Sequence, residues 1–204
     1  MWAYYDTGAL VSFYVDEVFS NAVSTLVESR HEIIPLNAFQ QLELENALRL
    51  KVFRGEMEDD GCRSVLGKIE VNVREGRIVR RPVDWVNAME EARRIGAKVT
   101  TKAGCRTLDL LHVAIAVQWK SAVFVTADDR QLRAARSAGL EPVDVRTLGR
   151  RNRPDDAESG ASPGAVREKR ARYGSKRRRL PAGTRPNGSG DGTPFRVRKL
   201  ARPW

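Results

Sequence analysis

Hydrophobic and polar positions along residues 1–148 switch repeatedly between a two-residue and a three-to-four-residue period. Each switch marks a change of element. Residues 2–5 (Trp-Ala-Tyr-Tyr) are aromatic and β-prone, and Asp6-Thr7-Gly8 ends that strand with residues suited to a turn or a helix cap. From Ala9 to about Glu28, the positions Leu10, Phe13, Tyr14, Val18, Ala22 and Leu26 predict one helix with a single buried face. Glu32 to Pro35 reads as a short strand closed by proline, Ala38 to Phe53 as a helix, and Arg54-Gly55 as a turn before a further helix reaching about Val73. Arg77 to Pro82 is a weak strand. Val83 to about Val99 is amphipathic, with Trp85, Ala88, Met89, Ala92 and Ile95 on one side.

The segment Thr107–Trp119 is apolar nearly all round, the pattern of a central helix. Ala122–Thr126 is a continuous apolar strand of the parallel-sheet kind, Asp128-Asp129 opens a helix to Ser137 that Gly139 stops, and Pro142–Val145 supplies a last short strand. Strands alternating with helices imply a parallel, doubly wound α/β sheet flanked by helices. No internal repeat is visible.

Charge changes the picture of the rest of the chain. The formal net charge is +10 over 204 residues, yet residues 151–204 alone hold 15 of the 36 Lys+Arg and 5 of the 26 Asp+Glu. The first 150 residues are therefore neutral, and a basic nucleic-acid-binding domain is not implied by whole-chain composition. Residues 149–204 also hold six of the nine prolines and few hydrophobic residues, which predicts a disordered basic tail after a domain spanning 1–148. Cys62 and Cys105 have no CxxC or CxxH spacing, so neither a disulfide framework nor a zinc site is indicated. The N-terminus lacks a signal-peptide pattern and no apolar run reaches a membrane span, so a soluble, cytoplasmic protein is expected.

Four acids stand out as candidate chemistry. Asp6 follows the first strand and Asp128 follows the fourth, at the carboxyl ends where open parallel sheets bind ligands, although either acid could simply cap a helix. On a helical wheel Glu43 falls among Phe39, Ala47 and Leu50, whereas Glu45 falls on the polar side with Gln41 and Arg49. A carboxylate in an apolar stripe needs a partner. Asp109 shares a face with Val113 and Ala116 in the most apolar helix; its plainer reading is a first-turn acid favoured by the helix dipole, with Thr107 as cap. His112, three residues on, can reach Asp109 or serve as a satisfied core histidine. No run of lysines or arginines in this region offers an obvious counterion. Mg²⁺ or Mn²⁺ would answer the electrostatics, because these cations prefer carboxylate oxygens and water and are suited to phosphodiester hydrolysis.

The segments Tyr-Tyr-Asp6-Thr7-Gly8, Leu42-Glu43-Leu44-Glu45-Asn46-Ala47, Arg106-Thr107-Leu108-Asp109-Leu-Leu-His112 and Thr126-Ala127-Asp128-Asp129-Arg130-Gln131 resemble, in order and spacing, the four motifs of PIN-domain ribonucleases, with the flavour of VapC-like toxins of type II toxin-antitoxin modules. The resemblance implies a Rossmann-like (PIN-like) sheet and a metal-dependent endoribonuclease acting on RNA. It also implies a homodimer neutralised by a cognate antitoxin, with Asp6, Glu43, Asp109 and Asp128 as the catalytic acids. Of these, Asp6 and Asp109 are expected to touch the metal directly, and Glu43 and Asp128 to act through water. Thr7 and Thr126 are candidate hydroxyl donors around them. One departure is Gly8, where the family often has serine. Two rivals remain: a phosphatase working through an aspartyl phosphate, disfavoured because Asp6-Thr7-Gly8 lacks a second acid two residues on, and an inactive PIN-like scaffold whose acids bind a basic partner.

Overall fold

The computed structural model describes residues 2–148. The basic segment 149–204, expected to be disordered, lies outside the described residues. Strands β1 (Ala3–Tyr5), β2 (Ile34–Leu36), β3 (Ile78–Arg80), β4 (Val123–Thr126) and β5 (Glu141–Asp144) alternate with helices α1 (Thr7–Tyr14), α2 (Ser20–Arg30), α3 (Ala38–Phe53), α4 (Asp59–Arg74), α5 (Trp85–Ala103), α6 (Thr107–Gln118), α7 (Asp129–Ser137) and α8 (Val145–Leu148). Every ladder is parallel: β1 pairs with β4 and β4 with β5, while β2 pairs with β3. The Gln40 side chain, from the first turn of α3, donates to the carbonyl of Tyr5 at 2.7 Å and so ties the end of β1 to the helix that follows β2. No described helix is long and apolar enough to cross a membrane.

The strict two-residue period of β1 and β4 divides the hydrophobic core into two. Ala3, Tyr5, Val123 and Val125 face one side, where they meet Leu10, Val23, Leu44, Leu48, Val65 and Ile69. Tyr4 and Phe124 face the other, against Ala88, Ile95, Val113, Ile115, Trp119 and Ala135. Tyr4 and Phe124 are register partners and stack with ring centroids 5.4 Å apart. Helix α6 lies on that side, and its buried run from Leu111 to Ala116 accounts for its nearly all-apolar sequence.

Three expectations need correction. The helix expected from Ala9 to Glu28 is two helices, because Ser20 Oγ donates to Val15 O and accepts from Glu17 N, closing a turn at that point. Val18, expected on the buried face, is 90% exposed. In α5 the buried stripe is Ala88, Ala92, Ile95 and Val99, whereas Trp85 and Met89 are exposed. In α3 the buried stripe is Gln40, Leu44 and Leu48, so Glu43 sits beside it and not at its centre, and Leu50 is exposed. Helix α8, one turn long, has no counterpart in the hydrophobic pattern.

Candidate active site

Strands β1 and β4 are parallel neighbours, so their carboxyl ends share one edge, and Asp6 and Asp128 follow them there. A cavity of about 440 Å³ opens at that edge, lined by Asp6, Glu43, Asp109 and His112 together with Thr7, Gly8, Arg106, Thr107, Leu108 and Gln131. Three of the four acids singled out from the sequence therefore meet in one place. Asp128 is not among the lining residues, although Thr126 links it to the cavity: the Thr126 hydroxyl accepts from Asp128 N at 3.0 Å and donates to Asp6 Oδ2 at 2.5 Å.

Asp6 is the N-cap of α1, with Oδ1 accepting from Ala9 N at 2.7 Å. Its side chain is buried, and desolvation pushes its pKa above the ordinary carboxylate value, against the lowering effect of the Thr126 and Ala9 hydrogen bonds. Among the described residues no Lys, Arg or His forms an ion pair with it. Each carboxylate oxygen has a second lone pair, so these two hydrogen bonds leave Asp6 able to accept more.

The other three acids have partners that their sequence context does not display. Glu43 Oε2 accepts from Thr7 Oγ1 at 2.6 Å and lies 2.8 Å from His112 Nε2. His112 therefore serves Glu43, not Asp109 as its spacing suggested, and its Nδ1 meets the Tyr4 hydroxyl at 2.9 Å. Asp109 Oδ2 accepts from Arg106 N at 2.8 Å, capping α6 from within; the N-cap position is Arg106, and Thr107 is already helical. Asp128 caps α7 through Arg130 N and Gln131 N, and the Arg130 guanidinium grips both its oxygens, which lowers its pKa. The same guanidinium stands 3.5 Å from Asp109 Oδ2.

Arg130 is thus the counterion that seemed to be missing from this part of the sequence. The available signal was its position two residues after an N-cap aspartate, where a long side chain can fold back. Glu45, as expected, pairs with Gln41 and Arg49 in solvent, and Asp129 is exposed and paired with Arg146. Cys62 and Cys105 are buried free thiols.

The chemistry of the lining favours a hard cation. Its charged donors are carboxylate oxygens, and Gln131 Oε1 is buried with no hydrogen-bond partner, an acceptor that a water of a hydrated ion would satisfy. Among the described residues no group of three or more His, Cys, Asp or Glu side chains converges into a ready-made cage. Such a cavity suits Mg²⁺ or Mn²⁺, which use one or two protein carboxylates and keep several waters, and not a tightly caged metal.

A helix-flanked parallel sheet with an acidic cavity at the carboxyl edge of β1 and β4 defines an α/β protein whose candidate site is rich in carboxylate oxygens. A family model described as PIN domain matches residues 3–137, and the chain belongs to the PIN domain family, whose members are generally nucleases. Among solved structures it is similar to FitAcB from Neisseria gonorrhoeae, with 16% identity and a TM-score of 0.48 over 71% of this chain and 98% of that one. It is also similar to PAE2754 from Pyrobaculum aerophilum, with 17% identity and a TM-score of 0.44 over 74% of this chain and 94% of that one. No curated protein sequence matches it.

Proposed function

We propose that this protein is an Mg²⁺- or Mn²⁺-dependent endoribonuclease, the toxin of a type II toxin-antitoxin module. It works in the cytoplasm as a homodimer and is held inactive by a cognate antitoxin laid over the acidic cavity. The observation that carries the enzymatic part is the meeting of Asp6, Glu43 and Asp109 in one cavity of a PIN domain. Asp6 and Asp109 are the residues for direct contact with the cation, and Glu43 and Asp128 act through water. Bound there, the cation would activate a water and neutralise the scissile phosphate. Asp6 is held for this by Thr126 and Ala9, so its oxygens need no rearrangement to receive a ligand. Glu43 Oε1 carries no donor from the described residues and is free to orient the attacking water. Arg130, clamped on Asp128 and close to Asp109, limits the net negative charge that a phosphate must approach.

The test is cleavage of a single-stranded RNA by the full chain with Mg²⁺ or Mn²⁺, with EDTA as control. Asp6→Asn and Asp109→Ala should each lower the rate by at least about 100-fold, the scale expected when a metal-assisted site loses a group that acts in the transition state. Undiminished cleavage by Asp6→Asn removes the assignment. If calorimetry detects no divalent binding to the wild type, the scaffold reading takes its place.

A further inference from the structure

Tyr4, His112 and Thr7 form a chain of contacts that ends on one oxygen of Glu43. Tyr4 is fully buried in β1, stacked on Phe124 and tilted against Trp119, and burial holds its phenol pKa well above the ordinary value. A phenol in that setting keeps its proton and donates it; Asn37 stands beside the phenol oxygen as a donor, and the acceptor in reach is His112 Nδ1 at 2.9 Å. An imidazole that accepts at Nδ1 carries its proton on Nε2, and Nε2 lies 2.8 Å from Glu43 Oε2. Thr7 Oγ1 donates to that same Oε2 at 2.6 Å from the opposite element, α1. Both donors converge on Oε2, and the described residues place none on Oε1.

We propose that His112 is a positioning residue: with its tautomer fixed by Tyr4, it acts with Thr7 to anchor Glu43 through Oε2 and present Oε1 to the cavity. The physical need is plain. Glu43 is a flexible side chain beside the buried stripe of α3, with 22% of the side chain exposed, and left alone it would sample rotamers pointing to solvent. Two donors from α1 and α6 fix it across the cleft, and those helices follow β1 and precede β4, the strands whose ends form the site. A buried histidine needs a partner at each ring nitrogen, and what sets His112 apart is that the partner of Nε2 is a carboxylate lining the cavity. This inference rests on the nuclease reading for its kinetic consequence and on geometry alone for the tautomer.

The experiment has two arms that separate those dependencies. The chain holds only two histidines, so imidazole ¹⁵N NMR of the full protein, with His31→Asn for assignment, reads His112 directly. At pH 7.5 the expected spectrum shows an unprotonated Nδ1 and a hydrogen-bonded Nε2–H, and Tyr4→Phe should produce a tautomer mixture. A proton on Nδ1 in the wild type overturns the proposal whether or not the protein cleaves RNA. In the kinetic arm, His112→Leu should lower kcat by about 10- to 100-fold with KM within about twofold, the usual cost of losing a group that orients a site ligand. His112→Gln, whose amide nitrogen can reach the place of Nε2, should recover most of that loss. Equal impairment of the two variants, with the glutamine variant folded, refutes the positioning role. A wild type that does not cleave RNA refutes the function and leaves the NMR arm to decide the geometry.

Discussion

Asp6→Asn separates what the site costs from what it does. Burial raises the Asp6 pKa above its reference of 3.8, so the folded protein binds this proton more tightly than the unfolded chain does. The sign follows from linkage. Below pH 3.8 the carboxyl is protonated in both states and adds no penalty; as pH rises toward the folded-state pKa, the unfolded chain ionises first and folding loses about 1.4 kcal/mol per pH unit. Above the folded-state pKa the penalty is constant. Asparagine keeps the acceptor for Ala9 N, and its amide can donate to Thr126, whose hydroxyl is free to turn. In metal-free buffer the variant should therefore melt above the wild type at pH 7, with the gap closing as pH falls toward 3.8. For a domain of this size the gap should change by about 3 to 5 °C per pH unit inside the window. The assay is thermal unfolding by circular dichroism in EDTA at several pH values, with metal-dependent cleavage measured in parallel. A variant that melts below the wild type at pH 7, or a gap that does not vary with pH, refutes the claim that a desolvated carboxylate is held in the cavity without a paired cation.

Two further substitutions probe the surroundings of that carboxylate. Gly8 has no positive φ, and a Cβ there would lie 3.5 Å from Asp6 Oδ1, an ordinary contact; Gly8→Ala should stabilise the fold by about 0.5 to 1 kcal/mol, read as a rise in melting temperature. A clear fall would show that the first turn of α1 is tighter than the geometry indicates. Arg130→Gln removes the partner that lowers the Asp128 pKa, a stabilisation present above pH 3.8 and lost as pH falls through the depressed value. With the pair partly in solvent, the loss at pH 7 should be about 0.5 to 1 kcal/mol and should shrink in unfolding scans as the pH falls through the depressed value.

What could be read from the sequence was local in origin. The α3 boundaries, Ala38 and Phe53, follow from helical period and the turn at Arg54-Gly55, and Glu45 falls on the polar side because its partners lie within one turn of the same helix. The order of strands and helices likewise follows from period changes along the chain. The break between α1 and α2 was hidden because apolar residues continue at helical spacing through Val15–Phe19, while a single serine hydroxyl closes the turn. Glu43 lines the cavity, but the wheel put it in the wrong setting, at the centre of an apolar stripe, because it counted Leu50 as buried. The contacts that organise the site were beyond any local pattern. Thr126 reaches Asp6 across 120 positions and Tyr4 reaches His112 across 108, and only the pairing of β1 with β4 and the packing of α6 bring them together.

These contacts also change the electrostatic argument for a cation. Four acids without counterions would demand positive charge almost anywhere in the cavity. In the folded protein Arg130 takes Asp128 and approaches Asp109, and two donors, Thr7 and His112, converge on one oxygen of Glu43. The remaining demand is concentrated at Asp6, the most deeply buried of the four, and at the side of Asp109 that Arg130 reaches only at 3.5 Å. A small divalent ion using one or two carboxylates and its own waters fits that narrower demand, and Gln131 Oε1 offers those waters an acceptor. In the proposed assignment the distribution of partners, more than the number of acids, separates direct from water-mediated roles: the acid lacking a protein cation has most to gain from a bound metal, and the acid anchored by donors is suited to orienting water.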